Sequence, residues 1–459
     1  MQCKIAGGRV FDPAQGWEGE VRDLYLDGDR IVPSLPKVEA IIDARGQAVV
    51  PGGIDLRGQV ATYGLNFLRL WGIVPSPGKL TETYAALGYT HVHEPFLTLA
   101  TAAYVHRELA ALPVVDVSAS FVINLRDLDL WLKDGERLLE MAETLQFFRE
   151  KTRALNFRVV EPWVRHPQEV YAHRSLPLEG ALEFLARLAE ELHTTLMVEA
   201  SPELLKAVLP EPRAFHLAAL GGALADDALF EAALAHLERG ASADLGLLWP
   251  LTVSGKNGVP INTDLGLGNP LNLAPRVTKN QARRALALAL ALAARGGAAA
   301  FSGASAAAAP VEHYAGFFSW LGNGEARREF WGEEVSPGRY SFAEWIYATR
   351  TLPARLLGLA DRGSLSPGAR ADVALFDWPA GAEGHWPQQV SRCRTLIKAG
   401  TVVMENSSLV RPEVPKSTLY YRTGAESTAL VDELCRYRSF RPENLWMTGD
   451  LLAANWMEV

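Results

Sequence analysis

The two ends of this chain are written in one pattern and its middle in another, and this constrains the fold more than any single motif. Residues 1–54 are short apolar–polar runs broken by tight turns: CKIAGGRVFDP, then DLYLDGDRIVPS turning at DG, then AIIDARGQAVVPGGIDL turning at RG. Such runs are β-hairpins. Residues 362–405 return to the pattern with RGSLSPGARADVALFDW and the hairpin TLIKAGTVVMEN. Neither end has strand enough to bury a core alone, so the two are expected to pair in one small β-sandwich. Residues 55–361 instead alternate helical stretches such as Ala181–Leu192 and Ala223–Leu237 with short apolar runs such as Thr195–Val198 and Ala214–Ala219. Strand–helix alternation over about 300 residues predicts a parallel (β/α)8 barrel, an α/β fold. The run ALALALALAA within it scores as helix, because Ala is a strong helix former and is depleted in strands. Residues 406–459 are a tail of aromatics among arginines: Tyr420, Tyr421, Tyr437, Phe440, Trp446 and Trp456 with Arg422, Arg436, Arg438 and Arg441. That mixture reads as a docking segment or, equally, as a segment packed on its own domain.

Composition excludes several classes. With 459 residues and 48% hydrophobic, the chain buries a large core. A net charge of −8 gives no basic footprint for nucleic acid. The longest apolar helical run, Ala285–Ala294, lies between Arg284 and Arg295 and is half of the ~20 residues a bilayer needs. The N-terminus MQCKIAGGRV lacks a signal-peptide core. Cys3, Cys393 and Cys435 form no CxxC, which argues against a zinc ribbon, an iron–sulfur cluster or a disulfide scaffold and for a reducing cytoplasm.

Two motifs sit at the junctions between the patterns. PGGIDL at 51–56 resembles the P-G-x-I-D lead-in to the first barrel strand of the amidohydrolase superfamily, and GSLSPGARADVALFD at 363–377 resembles its re-entry into the sandwich. A narrower resemblance is carried by GGRVFDPAQGWEGEVRDLYLDGDRIV, VVPGGIDL, YAALGYTHVHEP at 84–95 and SFAEWIYATRTLPARLLGLADRGSLSPGARAD at 341–372. These look like the α subunits of formylmethanofuran dehydrogenase and of the bacterial formyltransferase/hydrolase complex. The resemblance implies two zinc ions held by imidazoles and carboxylates, with chemistry at an N-formyl group.

The positions that would hold those ions are altered one after another. Strand one, in place of D-x-H-x-H, reads Asp55, Leu56, Arg57, Gly58, Gln59. The segment resembling G-x-K-x-x-N-P has Arg158 at its bridging lysine, and a guanidinium forms no carbamate. The strand resembling H-x-H-C-N reads Glu199, Ala200, Ser201, and the one resembling H-x-x-x-H keeps only His216. The last strand has Ala304 at the catalytic carboxylate and Ser305 at its neighbour. No confident catalytic residue remains and no metal cofactor is expected.

Other candidates are weaker. His91 and His93 share one strand face within THVHEP, with Glu94 on the other. They are an alternative metal pair whose ordinary reading is core histidines. Asp244 and Asp264, with His216, fall near predicted strand ends, and SGKNG at 254–258 lacks phosphate-loop spacing. Arg57 and Arg158, with Asp244, are candidates for binding a small anion. Alternatively, each arginine pairs with an internal acid such as Asp55 or Glu199 in the volume the metals vacated. The expected function is a non-catalytic subunit, a pseudo-amidohydrolase, of a formyltransferase/hydrolase complex in cytoplasmic one-carbon metabolism. It would work beside other subunits, among them an active paralogue, with no nucleic acid or membrane. The alternatives are an N-formyl (C–N) hydrolase with a rebuilt single-metal or metal-free site, and a small-anion-binding protein on a barrel scaffold.

Overall fold

A computed structural model describes residues 2–62, 75–123, 137–160, 178–246, 278–303, 313–332, 338–411, 416–438 and 455–459, with Leu65, Arg69, Val335, Val414 and Met447; of Leu434, Cys435, Tyr437 and Arg438 it describes the backbone alone. The two chain ends join in one nine-stranded sheet. From the N-terminus come β1 (Gln2–Asp12), β2 (Trp17–Asp27), β3 (Arg30–Val32), β4 (Ala40–Asp43) and β5 (Gln47–Pro51). From the far end come β13 (Val373–Asp377), β14 (Thr395–Lys398), β15 (Thr401–Glu405) and β16 (Ser408–Leu409). The junction is antiparallel pairing of β5 with β13, Val373 opposite Pro51 and Asp377 opposite Gln47. Its core mixes the ends as expected: Ile5, Val10, Leu24 and Val49 pack with Leu365, Val373, Leu375 and Ile397. A glycine is required where the two hairpins touch. Gly400 has φ 73, and a Cβ there would lie 1.8 Å from the carbonyl oxygen of Gly28.

The middle of the chain forms the parallel barrel. β6 (Gly53–Asp55), β7 (Tyr89–Leu97), β8 (Asp116–Ile123), β9 (Asn156–Val159), β10 (Leu196–Glu199), β11 (Phe215–Ala218) and β12 (Ser242–Ala243) pair in sequence order. Ala300 continues the order by a parallel bridge to Asp244, and the Gly303 N–H donates to Asp55 Oδ1 at 2.9 Å, bringing the eighth position back to the first. The apolar face of the helix Leu178–Glu191 buries Leu182, Leu185 and Leu188 against this sheet. The alanine–leucine run is helix, Lys279–Ala293, started by a Thr278/Gln281 capping box. Gly52 of the first motif and Gly58 just beyond it admit close packing: a Cβ on Gly52 would sit 2.2 Å from Thr90 Oγ1, and one on Gly58 would sit 2.4 Å from Val92.

Part of the tail packs on its own barrel, one of the two expectations for it. β17 (Thr418–Tyr420) inserts beside the lower half of β8, Thr418 opposite Val117 and Leu419 opposite Ser118, and β18 (Trp456–Glu458) pairs with β17. The physical reason is a splay in the barrel. β8 pairs with β9 only from Ser120 onward, so the backbone groups of its first residues need other partners, and Ser417 O accepts from Val117 N at 3.0 Å. Leu419 is fully buried and Tyr420 nearly so. The aromatic Phe440 and Trp446 and the charged Arg441 lie outside the described residues, as do the side chains of Tyr437 and Arg438.

Candidate active site

The C-terminal ends of barrel strands converge where this fold class carries its chemistry. Glu199, last in β10, reaches between two arginines. Arg158 Nη2 and Nε stand 2.5 and 2.8 Å from Glu199 Oε1. Arg57 follows β6, and its Nε and Nη2 approach Oε1 and Oε2 at 3.4 Å each. Both guanidiniums also pack on the Phe96 ring, Arg57 at 5.7 Å and Arg158 at 5.4 Å from its centroid. Burial acts to raise the Glu199 carboxyl, but Arg158 and Arg57 outweigh it and hold the pKa below the ordinary value. Of the two readings for these arginines, the geometry is that of the internal pair with Glu199. Among the described residues Asp55 has no guanidinium partner. It accepts from the backbone N–H groups of Gly303 and Arg57 and from the Tyr84 hydroxyl at 2.7 Å. Burial nonetheless leaves its pKa raised. Gln59 is buried with its backbone in the left-handed region, φ 46.

On the neighbouring strand β11, His216 is held from both ring nitrogens: Nδ1 lies 3.0 Å from Ser242 Oγ and Nε2 lies 3.0 Å from Asp244 Oδ2. Asp244 also accepts from the Ala219 N–H and the Ser302 hydroxyl. Burial is more than offset by His216, so its carboxyl is lowered to about 2. His91 and His93 do share a face, as their spacing requires. Both meet Ser118 Oγ, at 2.8 and 2.7 Å, and His93 Nε2 lies 2.6 Å from Ser120 Oγ, which donates to Asn156 Oδ1. Burial, with Arg362 next in effect, drops His91 to about 3. Glu94 turns away to Ala61 and Thr62. Ser118, Ser120, Asn156 and Phe96 were not among the residues expected from sequence. A signal existed for the serines, because S-x-S in DVSASFVI repeats the two-residue spacing of H-x-H one strand earlier. Asp264, Ala304, Ser305 and the SGKNG loop lie outside the described residues.

Comparison with known proteins bears on the fold. Residues 265–404 match the model of an amidohydrolase family. A solved formyltransferase/hydrolase complex (FhcABCD) from Methylorubrum extorquens, in complex with methylofuran, contains a chain that superposes with TM-score 0.81 at 21% identity, covering 100% of this chain and 99% of that one. The chain has an amidohydrolase-type fold. A dihydropyrimidinase from Brevibacillus agri shares it at TM-score 0.57 and 15% identity, over 91% of this chain and 98% of that one. In sequence the chain is similar to Protein FwdA of Methanocaldococcus jannaschii, 29% identical over 184 residues. It is equally similar to the FhcA component of the formyltransferase/hydrolase complex of Methylorubrum extorquens, 29% identical over 181 residues. Each alignment takes in 35% of this chain and spans 32% of the relative's length.

Among the described residues the donor set does not suit a pair of zinc ions, which this fold family implies. Zinc takes imidazole, thiolate and carboxylate ligands, and a guanidinium is never one. Here two guanidiniums project beside strands one and four and occupy the Glu199 carboxylate. His216 is held by Ser242 and Asp244, and His93 by two serines. Among the described residues no group of three or more His, Cys, Asp or Glu is placed to hold a metal ion, and no helix is long and apolar enough to cross a membrane.

Proposed function

We propose that this chain is a non-catalytic, pseudo-amidohydrolase component of a formyltransferase/hydrolase-type complex, working in formyl one-carbon metabolism. The observation that carries the reading is the Arg57–Glu199–Arg158 cluster, which fills with an ion pair the place where the family's chemistry would require bare ligands. Such a cluster is a structural plug. Both guanidiniums engage the one carboxylate, and the Phe96 ring covers them. The likeness to FhcA and to a chain of the FhcABCD complex supports other subunits of such an assembly as partners; on this reading catalysis resides in an active paralogue. The reading of a rebuilt hydrolase has one point in its favour, the His216–Asp244 pair at adjacent strand ends. Both side chains are only 1% exposed and already engaged with each other and with serines, so they offer no free base. The test is affinity purification of the chain tagged at its own locus. The reading expects formyltransferase-type subunits in stoichiometric amounts and no N-formyl hydrolysis by the isolated chain. A chain that runs alone and hydrolyses an N-formyl substrate overturns it.

A further inference from the structure

A second cleft lies at the opposite end of the barrel from the arginine–glutamate plug, and it stands independently of the function proposed above. It encloses about 670 Å³, in the size range of small-molecule sites. Its walls come from the helix Leu138–Lys151, the residues leading into β9 and β10, the segment 355–358, and Tyr421, Arg422, Thr423, Ala425 and Val459 of the tail. Within it sits an arginine with an anomaly. Arg149 is 5% exposed, yet among the described residues its side chain has no ion pair and no hydrogen-bond partner, and its Nε is fully buried. Its guanidinium rests on the rings of Tyr421, 4.1 Å away, and Phe157, 5.0 Å away. A buried cation without a counter-ion is costly, and such groups are ordinarily paired.

We propose that this cleft binds a small carboxylate ligand, with Arg149 as its anchor. Aromatic packing covers guanidinium faces and leaves the N–H edge, which matches the two in-plane oxygens of a carboxylate. Arg355 and Arg422 at the same cleft add positive charge, the latter facing Glu458 at 3.8 Å, against the acidic Glu143 and Glu191 on the cleft wall, and Thr194 adds a hydroxyl. Leu139, Ala142 and Leu356 provide an apolar wall for the rest of the ligand. Because Tyr421 and Thr423 belong to the tail, occupancy would also tighten the tail's seat on the barrel.

The test uses the full chain and isothermal titration with benzoate, glutarate and citrate, each against its neutral amide, and with inorganic phosphate. At least one carboxylate binds saturably, its amide does not, and Arg149→Met weakens binding roughly tenfold or more, the loss of one charged hydrogen-bonding anchor. Arg422→Met, on the exposed side of the cleft, weakens it less. Without ligand, Arg149→Met leaves the urea midpoint unchanged or raises it, since an unpaired buried charge has gone. Three results overturn the proposal: no carboxylate binds, phosphate binds as tightly as any carboxylate, or Arg149→Met lowers the apo midpoint clearly, which makes Arg149 a packing residue only.

Discussion

Replacing Lys398 with Met should strongly destabilise this protein, and the structure gives the size of the effect. Lys398 is fully buried in β14, and its Nζ lies 2.9 Å from Asp116 Oδ2 and 3.0 and 2.9 Å from the two oxygens of Asp372. Asp116 retains Arg362 Nη2 at 2.9 Å and the Ser417 N–H at 2.7 Å when the lysine is gone. Asp372 retains, among the described residues, only the Ala399 N–H at 2.8 Å. One buried carboxylate is thus stranded, and breaking a buried pair in this way costs about 3–5 kcal/mol. Methionine keeps the length of the stem, so the loss is electrostatic rather than a cavity. Urea unfolding followed by circular dichroism and tryptophan fluorescence measures it. Lys398→Met/Asp372→Asn, which removes the stranded charge as well, should recover a substantial part of the loss. A single-variant loss below about 1 kcal/mol, or a double variant no better than the single, refutes the reasoning.

Three further outcomes follow from the same geometry. Asp244 has its carboxyl lowered from 3.8 to about 2 by partners gained on folding. It therefore contributes stability above its unfolded pKa that is lost as pH falls from about 4 to about 2. Asp244→Asn should flatten that part of the acid unfolding curve by roughly 2 kcal/mol, and an unchanged curve contradicts the assignment. Truncation after Asn406 should lower thermal stability and expose the edge of β8, because β17 supplies backbone partners to it; equal melting temperatures for full-length and truncated protein would show the strand to be dispensable. Gly400→Ala should separate the two hairpins, since its Cβ meets a backbone carbonyl at 1.8 Å; amide exchange across residues 24–32 should rise, and wild-type protection there would exclude the contact.

The architecture was legible in the sequence because its two periodicities are clean. Alternating hairpin runs sit at the ends, helical stretches and short strands in the middle, and PGGIDL and GSLSPGARAD mark the junctions. The re-entry motif turned out to hold more than a turn. Its Asp372 ties β13 to the barrel through Lys398 and Asp116, a partnership across 282 positions that no local pattern announces. The substituted positions Arg57, Arg158 and Glu199 were readable one by one, but whether the arginines faced an incoming anion or each other's acid depended on how β6, β9 and β10 bring them together. The tail left two readings open in sequence because Tyr, Trp and Arg are enriched both at interfaces and in cation–π packing. Arg153 on Tyr420 at 4.5 Å, with Tyr420 buried, is the second case.

If the family's metal chemistry has no seat in this chain, its zinc content must show it. Protein expressed in medium with excess zinc, purified without chelator and digested for elemental analysis, should carry no stoichiometric zinc. Two equivalents per chain, lost together on Glu199→Ala or His216→Ala, would contradict this; one equivalent lost on His91→Ala or His93→Ala would move the metal to β7 and contradict it equally.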